Sequence, residues 1–293
     1  MKSLQSSIRK SLKPRSRSAH KGDFGKVFIL AGSEGYTGAA HLAGLGALRS
    51  GAGLVTLGVP SKVYAVIARR EMEIMVRPFP STDKGSFSFG ALGKILNFAA
   101  TQDVLAVGPG LSTHPAVQKL VQALIRKWER PLVLDADGLN ALNGHPEVLK
   151  KRQSPAVLTP HAGEFVRLFG GSKPKTKEER IKSALRAAAV SSSVVVLKGQ
   201  GTVTASPEGN YSVNPTGNPG MASGGTGDIL TGIIAAFLGQ GLPPFDAARF
   251  GVYFHGMAGD LAADDVGEIS LTAGDLAGKL PAAFQKVLGR RKR

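Results

Sequence analysis

No cysteine occurs among the 293 residues, so neither a disulfide nor a thiolate zinc site can hold this chain together. The six histidines are scattered, with no close metal-ligand pair, which leaves oxygen and nitrogen chemistry for any reactive centre. No apolar run approaches the roughly 20 residues needed to cross a bilayer, and the first 21 residues lack the apolar core of a secretory signal. The expectation is a soluble, cytoplasmic protein without a membrane partner. Two phosphate signatures are also missing, the Walker-type Gly-x-x-x-x-Gly-Lys-Ser/Thr loop and a clean Gly-x-Gly-x-x-Gly between strand and helix. Any nucleotide site must therefore rest on a different scaffold.

Positive charge is abundant, and its placement limits what it implies. The formal net charge is +16, but residues 1–21 hold seven Lys/Arg and residues 286–293 hold five, with no acid in either stretch. Subtracting these twelve leaves the body at about +4. Residues 1–19 and 287–293 therefore read as solvated basic tails around one domain at 20–286, and no nucleic-acid partner is expected. The acid-free N-terminus leaves a transit peptide as a weaker alternative.

Short apolar runs alternate with helical patterns along that domain, the pattern of a mainly parallel sheet covered by helices. Strands are expected at Val27–Ala31, Leu54–Val59, Val104–Val107, Leu132–Leu134, Val157–Thr159 and Val194–Leu197, with a hairpin from Thr202 to Val213. Helices are expected at Thr37–Arg49 and Pro115–Trp128, and three more close the chain at Gly227–Leu238, Pro244–Asp264 and Thr272–Leu288. Glycine-rich and polar motifs recur just past the strand ends, where open α/β sheets bind ligands.

The most informative stretch is residues 217–232, Gly-Asn-Pro-Gly-Met-Ala-Ser-Gly-Gly-Thr-Gly-Asp-Ile-Leu-Thr-Gly. Gly224, Gly225, Thr226 and Gly227 form a low-bulk run whose amides can approach phosphate oxygens at a helix N-terminus. Asp228 follows at the mouth of that helix, placed to take a proton from an attacking hydroxyl in phosphoryl transfer. A plain loop with an N-cap is the alternative.

The other motifs each carry two readings. Gly32 to Ala40 lets either a flat ligand or the sheet approach closely, and Gly108-Pro109-Gly110 is a turn that matters chemically only if a ligand passes over it. Asp135, Asp137 and Asn140 could hold magnesium through water, although Asp137 is expected to cap the Gly138–Leu142 turn. His161 and Glu164 occupy a strand-end loop that faces either ligand or solvent. Lys198-Gly199-Gln200-Gly201-Thr202 suits the ribose and phosphates of a nucleotide, or is a simple hairpin connection.

Taken in order, seven motifs resemble the ADP/ATP-dependent NAD(P)H-hydrate dehydratases over roughly residues 20–286. They are His20 to Gly25, Gly35 to Ala40 with Arg49 to Val55, Val107 to Leu111, Asp135 to Asn140, Thr159 to Glu164, Lys198 to Thr202, and Asn218 to Asp228. The resemblance implies a ribokinase-like three-layer α/β/α fold. It also implies repair of the S-epimer of hydrated NADH or NADPH (NADHX, NADPHX), whose ring hydroxyl is phosphorylated by ADP or ATP and then expelled as phosphate. On this similarity Asp228 is the base and Gly224 to Gly227 hold the transferring phosphoryl group. The hydrate touches Ala39 or Ala40, Gly110, His161 and Asp228, the nucleotide touches Lys198, Gly199, Gln200, Gly201, Thr202 and Gly227, and Mg2+ bridges the phosphates.

The metal ligands are not identified. A homo-oligomer is expected because it is common in the resembling family, and a separate epimerase because the leading residues are too few for the epimerase domain fused to many members; ADP is the expected donor. Ser112 replaces a glycine common in the family. The rival within the fold is a kinase for a vitamin precursor or sugar.

Overall fold

Val27-Phe28-Ile29-Leu30 is apolar at every position, as a strand must be when helices cover both faces of its sheet. The computed structural model describes residues 2–12, 15–154 and 156–289. Its strands are β1 (Lys26–Leu30), β2 (Leu54–Pro60), β3 (Met75–Phe79), β4 (Val104–Val107), β5 (Leu132–Leu134), β6 (Ala156–Leu158), β7 (Val194–Leu197), β8 (Val203–Ala205) and β9 (Tyr211–Val213). They form one sheet in the order β3-β2-β1-β4-β5-β6-β7-β8-β9, parallel from β3 to β7 and antiparallel in the β8–β9 hairpin. The mainly parallel sheet and its two helical layers are the architecture expected from the sequence.

Successive strand residues point to opposite faces, so each strand feeds two cores. Val27 and Ile29 face a layer made by α1 (Lys2–Ser11), α2 (Thr37–Arg49), α3 (Tyr64–Ala68), α9 (Thr226–Gly239), α10 (Pro244–Ser270) and α11 (Ala273–Leu288). Phe28 and Leu30 face the layer of α4 (Leu92–Ala99), α5 (Pro115–Lys127), α6 (Asp137–Asn140), α7 (Ala162–Phe169) and α8 (Lys177–Ser191). Small residues let α2 and α9 pack with their backbones close together. A methyl on Gly232 would overlap the Ala43 carbonyl, and one on Gly46 would overlap that of Ile229.

Three expectations need adjustment. Residues 2–11 are not a solvated tail but a helix, with Ile8 wholly buried, Gln5 Nε2 donating to the Tyr253 hydroxyl at 2.7 Å and Arg9 Nε to the Val287 carbonyl at 2.7 Å. At the other end α11 runs to Leu288 with Val287 buried, so the expected C-terminal tail shrinks; Arg290–Arg293 lie outside the described residues. Finally, α10 continues past Asp264 to Ser270, bent at Gly267, whose φ of 75° is not helical.

Candidate active site

Strand order reverses between β1 and β4, which opens a crevice at the carboxyl edge of the parallel strands. Two hydrogen bonds cross it: Gly32 N–H donates to the Pro109 carbonyl and the Ser33 hydroxyl to the Gly110 carbonyl, both at 2.8 Å. Gly108, at φ 146°, presses so closely on the end of β5 that a Cβ would overlap the Asp135 carbonyl oxygen. A Cβ on Gly110 would lie 2.9 Å from the Cβ atoms of Ala39 and Tyr36, so this loop adjoins the first turn of α2. Ala39 is partly exposed there, and its amide is one of those that helix geometry leaves unpaired. Ala40 differs, because its methyl is wholly buried beneath Gly32 and only Ala39 borders the crevice with its side chain.

His161 caps α7. Its Nδ1 accepts from the amides of Gly163 (3.0 Å) and Glu164 (3.3 Å), which leaves the proton on Nε2, and Glu164 Oε2 accepts the His161 amide at 2.8 Å. The ring is half-exposed, whereas Glu164 is buried. A bridge between His161 and Lys198, with the Lys198 amide donating to the Pro160 carbonyl at 2.9 Å, sets this loop beside the one after β7.

The Lys198 to Thr202 loop is closed by the Thr202 hydroxyl, which donates to the Gly199 carbonyl at 2.8 Å. Gln200 stands exposed at its tip. Arg180, which the motifs did not single out, lies flat against Gly199 and donates from Nη2 to the Leu197 carbonyl at 2.9 Å. Its Nε is buried without a partner among the described residues, and burial pushes the guanidinium pKa down. It belongs to α8, and only tertiary packing brings it to the loop.

The glycine-rich run ends in Gly225, the left-handed N-cap of α9 (φ 94°), where a Cβ would overlap Leu42 Cδ1 on α2. The Asp228 and Ile229 amides donate to the Gly225 carbonyl at 3.1 and 3.3 Å, while those of Thr226 and Gly227 have no partner among the described residues. Gly224 beside them is exposed. The Thr226 hydroxyl donates to the carbonyls of Met221 (3.0 Å) and Ser223 (3.1 Å), and its own carbonyl meets His255 Nε2 at 2.8 Å. Burial pushes His255 down to about 4, so at neutral pH it is uncharged and donates this bond. Leu42 adjoins Gly225 and Gly46 adjoins Ile229, so α2 and α9 run alongside each other in the same direction and their amide-rich first turns open on one crevice.

Asp228 is partly buried in the first turn of α9. Burial pushes its carboxyl up to about 7; repulsion from Asp135, Asp137 and Glu164 adds to this and Lys198 opposes it. Such a group changes protonation near neutrality, which suits a base. Lys198 Nζ lies 2.8 Å from Asp135 Oδ1, and Thr231 donates to Asp135 Oδ2 at 2.8 Å. Burial alone would lower the ammonium, but Asp135, Glu164 and Asp228 outweigh it and its pKa is raised.

The expected cap at Asp137 is not found. Ala136 is the N-cap of α6, at φ 46°, and the Asp137 carboxylate instead accepts the Ser112 amide (2.8 Å) and the Asn140 side chain (3.1 Å). Both Asp135 oxygens are likewise engaged, and no group of three His, Asp or Glu converges as a cation site among the described residues. These donors do not fit a protein-held magnesium ion.

A family model described as NAD(P)H-hydrate dehydratase matches residues 27–282. The chain is 48% identical to the bifunctional NAD(P)H-hydrate repair enzyme Nnr of Moorella thermoacetica, over 95% of this chain and 53% of that protein, so it spans about half the length of such bifunctional relatives. It is 36% identical to the ADP-dependent (S)-NAD(P)H-hydrate dehydratase of Bacillus subtilis, over 95% of this chain and 96% of that protein. A crystal structure of the ADP/ATP-dependent NAD(P)H-hydrate dehydratase from Bacillus subtilis, co-crystallised with ATP/Mg2+, superposes with a TM-score of 0.83 at 35% identity, covering 97% of each chain. The chain belongs to the NAD(P)H-hydrate dehydratase family.

Proposed function

We propose that this chain returns the S-epimer of NADHX or NADPHX to NADH or NADPH at the expense of ADP or ATP. The observation that carries this reading is Asp228, a carboxylate tuned to neutrality beside the Thr226 and Gly227 amides, which have no partner among the described residues. Asp228 accepts the proton of the ring hydroxyl, and the hydroxyl oxygen attacks the terminal phosphorus of the nucleotide, breaking its bond to the bridging oxygen. The α9 amides and dipole stabilise the charge on the transferring phosphoryl group.

Hydroxide is a poor leaving group and phosphate a good one. The ring carbon–oxygen bond then breaks with its electron pair leaving on phosphate, and the ring nitrogen lone pair supports the electron-poor carbon. Loss of a proton from the neighbouring carbon restores the double bond. The residue assignments go with the reading: Ala39, Gly110 and His161 face the hydrate, with Ala40 at most through its backbone, and Lys198 to Thr202 with Gly227 hold the nucleotide. Magnesium enters this scheme only as an ion carried by the nucleotide phosphates. Work in the cytoplasm as a homo-oligomer, on the epimer that an epimerase supplies, completes the proposal.

The test incubates the protein with NADH hydrate and magnesium plus ADP or ATP, and follows absorbance of the reduced nicotinamide. Recovery with release of one phosphate per NADH is expected, faster with ADP. A stable phosphorylated product without recovery would instead mark a small-molecule kinase.

A further inference from the structure

Lys198 stands where a phosphate-gripping lysine is expected, yet its ammonium is already engaged. Besides the 2.8 Å contact with Asp135 Oδ1, Nζ lies 3.9 Å from Glu164 Oε2. A Cβ on Gly227 would lie only 3.3 Å from it, so the charge sits against the residue that precedes Asp228. The Asp135 anchor is itself held, since its second oxygen accepts the hydroxyl of Thr231, and both side chains are buried. Thr231 lies one turn beyond Gly227 in α9, which ties the clamp to the helix that carries the base.

We propose that Asp135 and Thr231 are positioning residues that hold the Lys198 ammonium beside Asp228 as the fixed counter-ion of the base. The inference rests on Asp228 being that base. The charged groups acting on Asp228 come from four elements: Asp135 after β5, Asp137 on α6, Glu164 on α7 and Lys198 after β7; His255 on α10, uncharged, faces the Thr226 carbonyl instead. On α2, His41 is engaged by Glu71 at 2.6 Å, and on α11 Asp275 is held by Thr272. Only Lys198 in this set carries positive charge that favours ionised Asp228.

The clamp makes two substitutions act in the same direction. Lys198→Met removes the cation and leaves three acids facing one another, so Asp228 holds its proton to higher pH. Thr231→Val keeps every charge and nearly the same volume but frees the Asp135 carboxylate and with it Lys198, so Asp228 again holds its proton to higher pH. A lysine that stands beside Asp228 without help from Thr231 would give the first shift and not the second.

The experiment is a 13C NMR titration of aspartate carboxyl carbons in the full chain without nucleotide, with the Asp228 signal identified by its loss in Asp228→Asn. The expected midpoint rises by about one pH unit or more in Lys198→Met, the size typical of a charge a few ångströms away, and by less in Thr231→Val. An unchanged or lowered midpoint in either variant overturns the proposal. If Lys198→Met does not fold, Thr231→Val alone decides. In turnover Thr231→Val is expected to give a several-fold lower kcat with unchanged nucleotide KM, and an unchanged kcat likewise removes Thr231 from the clamp. The titration uses no substrate, so it fails independently of the dehydration reading, which fails if the wild-type protein recovers no NADH.

Discussion

As the proposed base, Asp228 must be ionised to accept a proton, and burial and three neighbouring acids outweigh Lys198 and push its carboxyl up to about 7. The sign follows directly: below that pH the base is increasingly protonated, and kcat/KM, which reports the free enzyme, falls toward tenfold per pH unit. The expected profile bends near pH 7, and one flat down to pH 5 would contradict this assignment. The place of Asp228 at the mouth of α9 was legible in the sequence, because Gly-Gly-Thr-Gly ahead of an apolar helical run marks a helix start. Its proton affinity was not, since that depends on Asp135, Asp137, Glu164 and Lys198, which lie 30 to 93 positions away along the chain. Asp137 shows the same limit: an acid one residue before a glycine reads as a cap, but the turn begins at Ala136 and leaves the carboxylate to bind Ser112.

Among the elements, α2 and α9 frame the site, because each delivers an amide-rich first turn to the crevice. Their approach depends on having no side chain at Gly232, where a methyl would overlap the Ala43 carbonyl and come 2.6 Å from the Ala47 amide nitrogen. Gly232→Ala gains about 1 kcal/mol of helix propensity and loses more to overpacking. A net destabilisation of about 1–3 kcal/mol is expected in urea unfolding; unchanged stability would show that the helices separate freely. Strongly patterned elements such as Thr37–Arg49 and Pro115–Lys127 were legible to within a residue or two. β3 was not, because its Arg77 and Pro78 interrupt the apolar run and its place at the sheet edge tolerates them. Helix α1 was hidden for another reason: with Ile8 its one fully buried side chain among the described residues, it reads as a charged tail.

Across the whole molecule, one sheet with one reversal of strand order gathers motifs from residues 32 to 228 at a single edge. That gathering was foreseeable from strand–loop alternation, whereas the pairing of particular side chains across loops was not. The far end of α11, where α1 docks, is about 20 Å of helix from Ala273, which abuts Gly225. Deleting residues 1–11 uncovers Tyr253 and Val287 and loses the burial of Ile8, about 2 kcal/mol. The melting temperature should fall by several degrees with turnover unchanged; lost turnover in a folded truncation would place α1 in the catalytic machinery.

Proton transfer by a single carboxylate is checked by Asp228→Asn in the NADH-recovery assay. The substitution keeps the shape of the side chain while removing its basicity. A loss of about a thousandfold in kcat is expected, within the usual range for a general base, with the fold and ADP or ATP binding retained. Recovery of NADH at the wild-type rate by Asp228→Asn would contradict it.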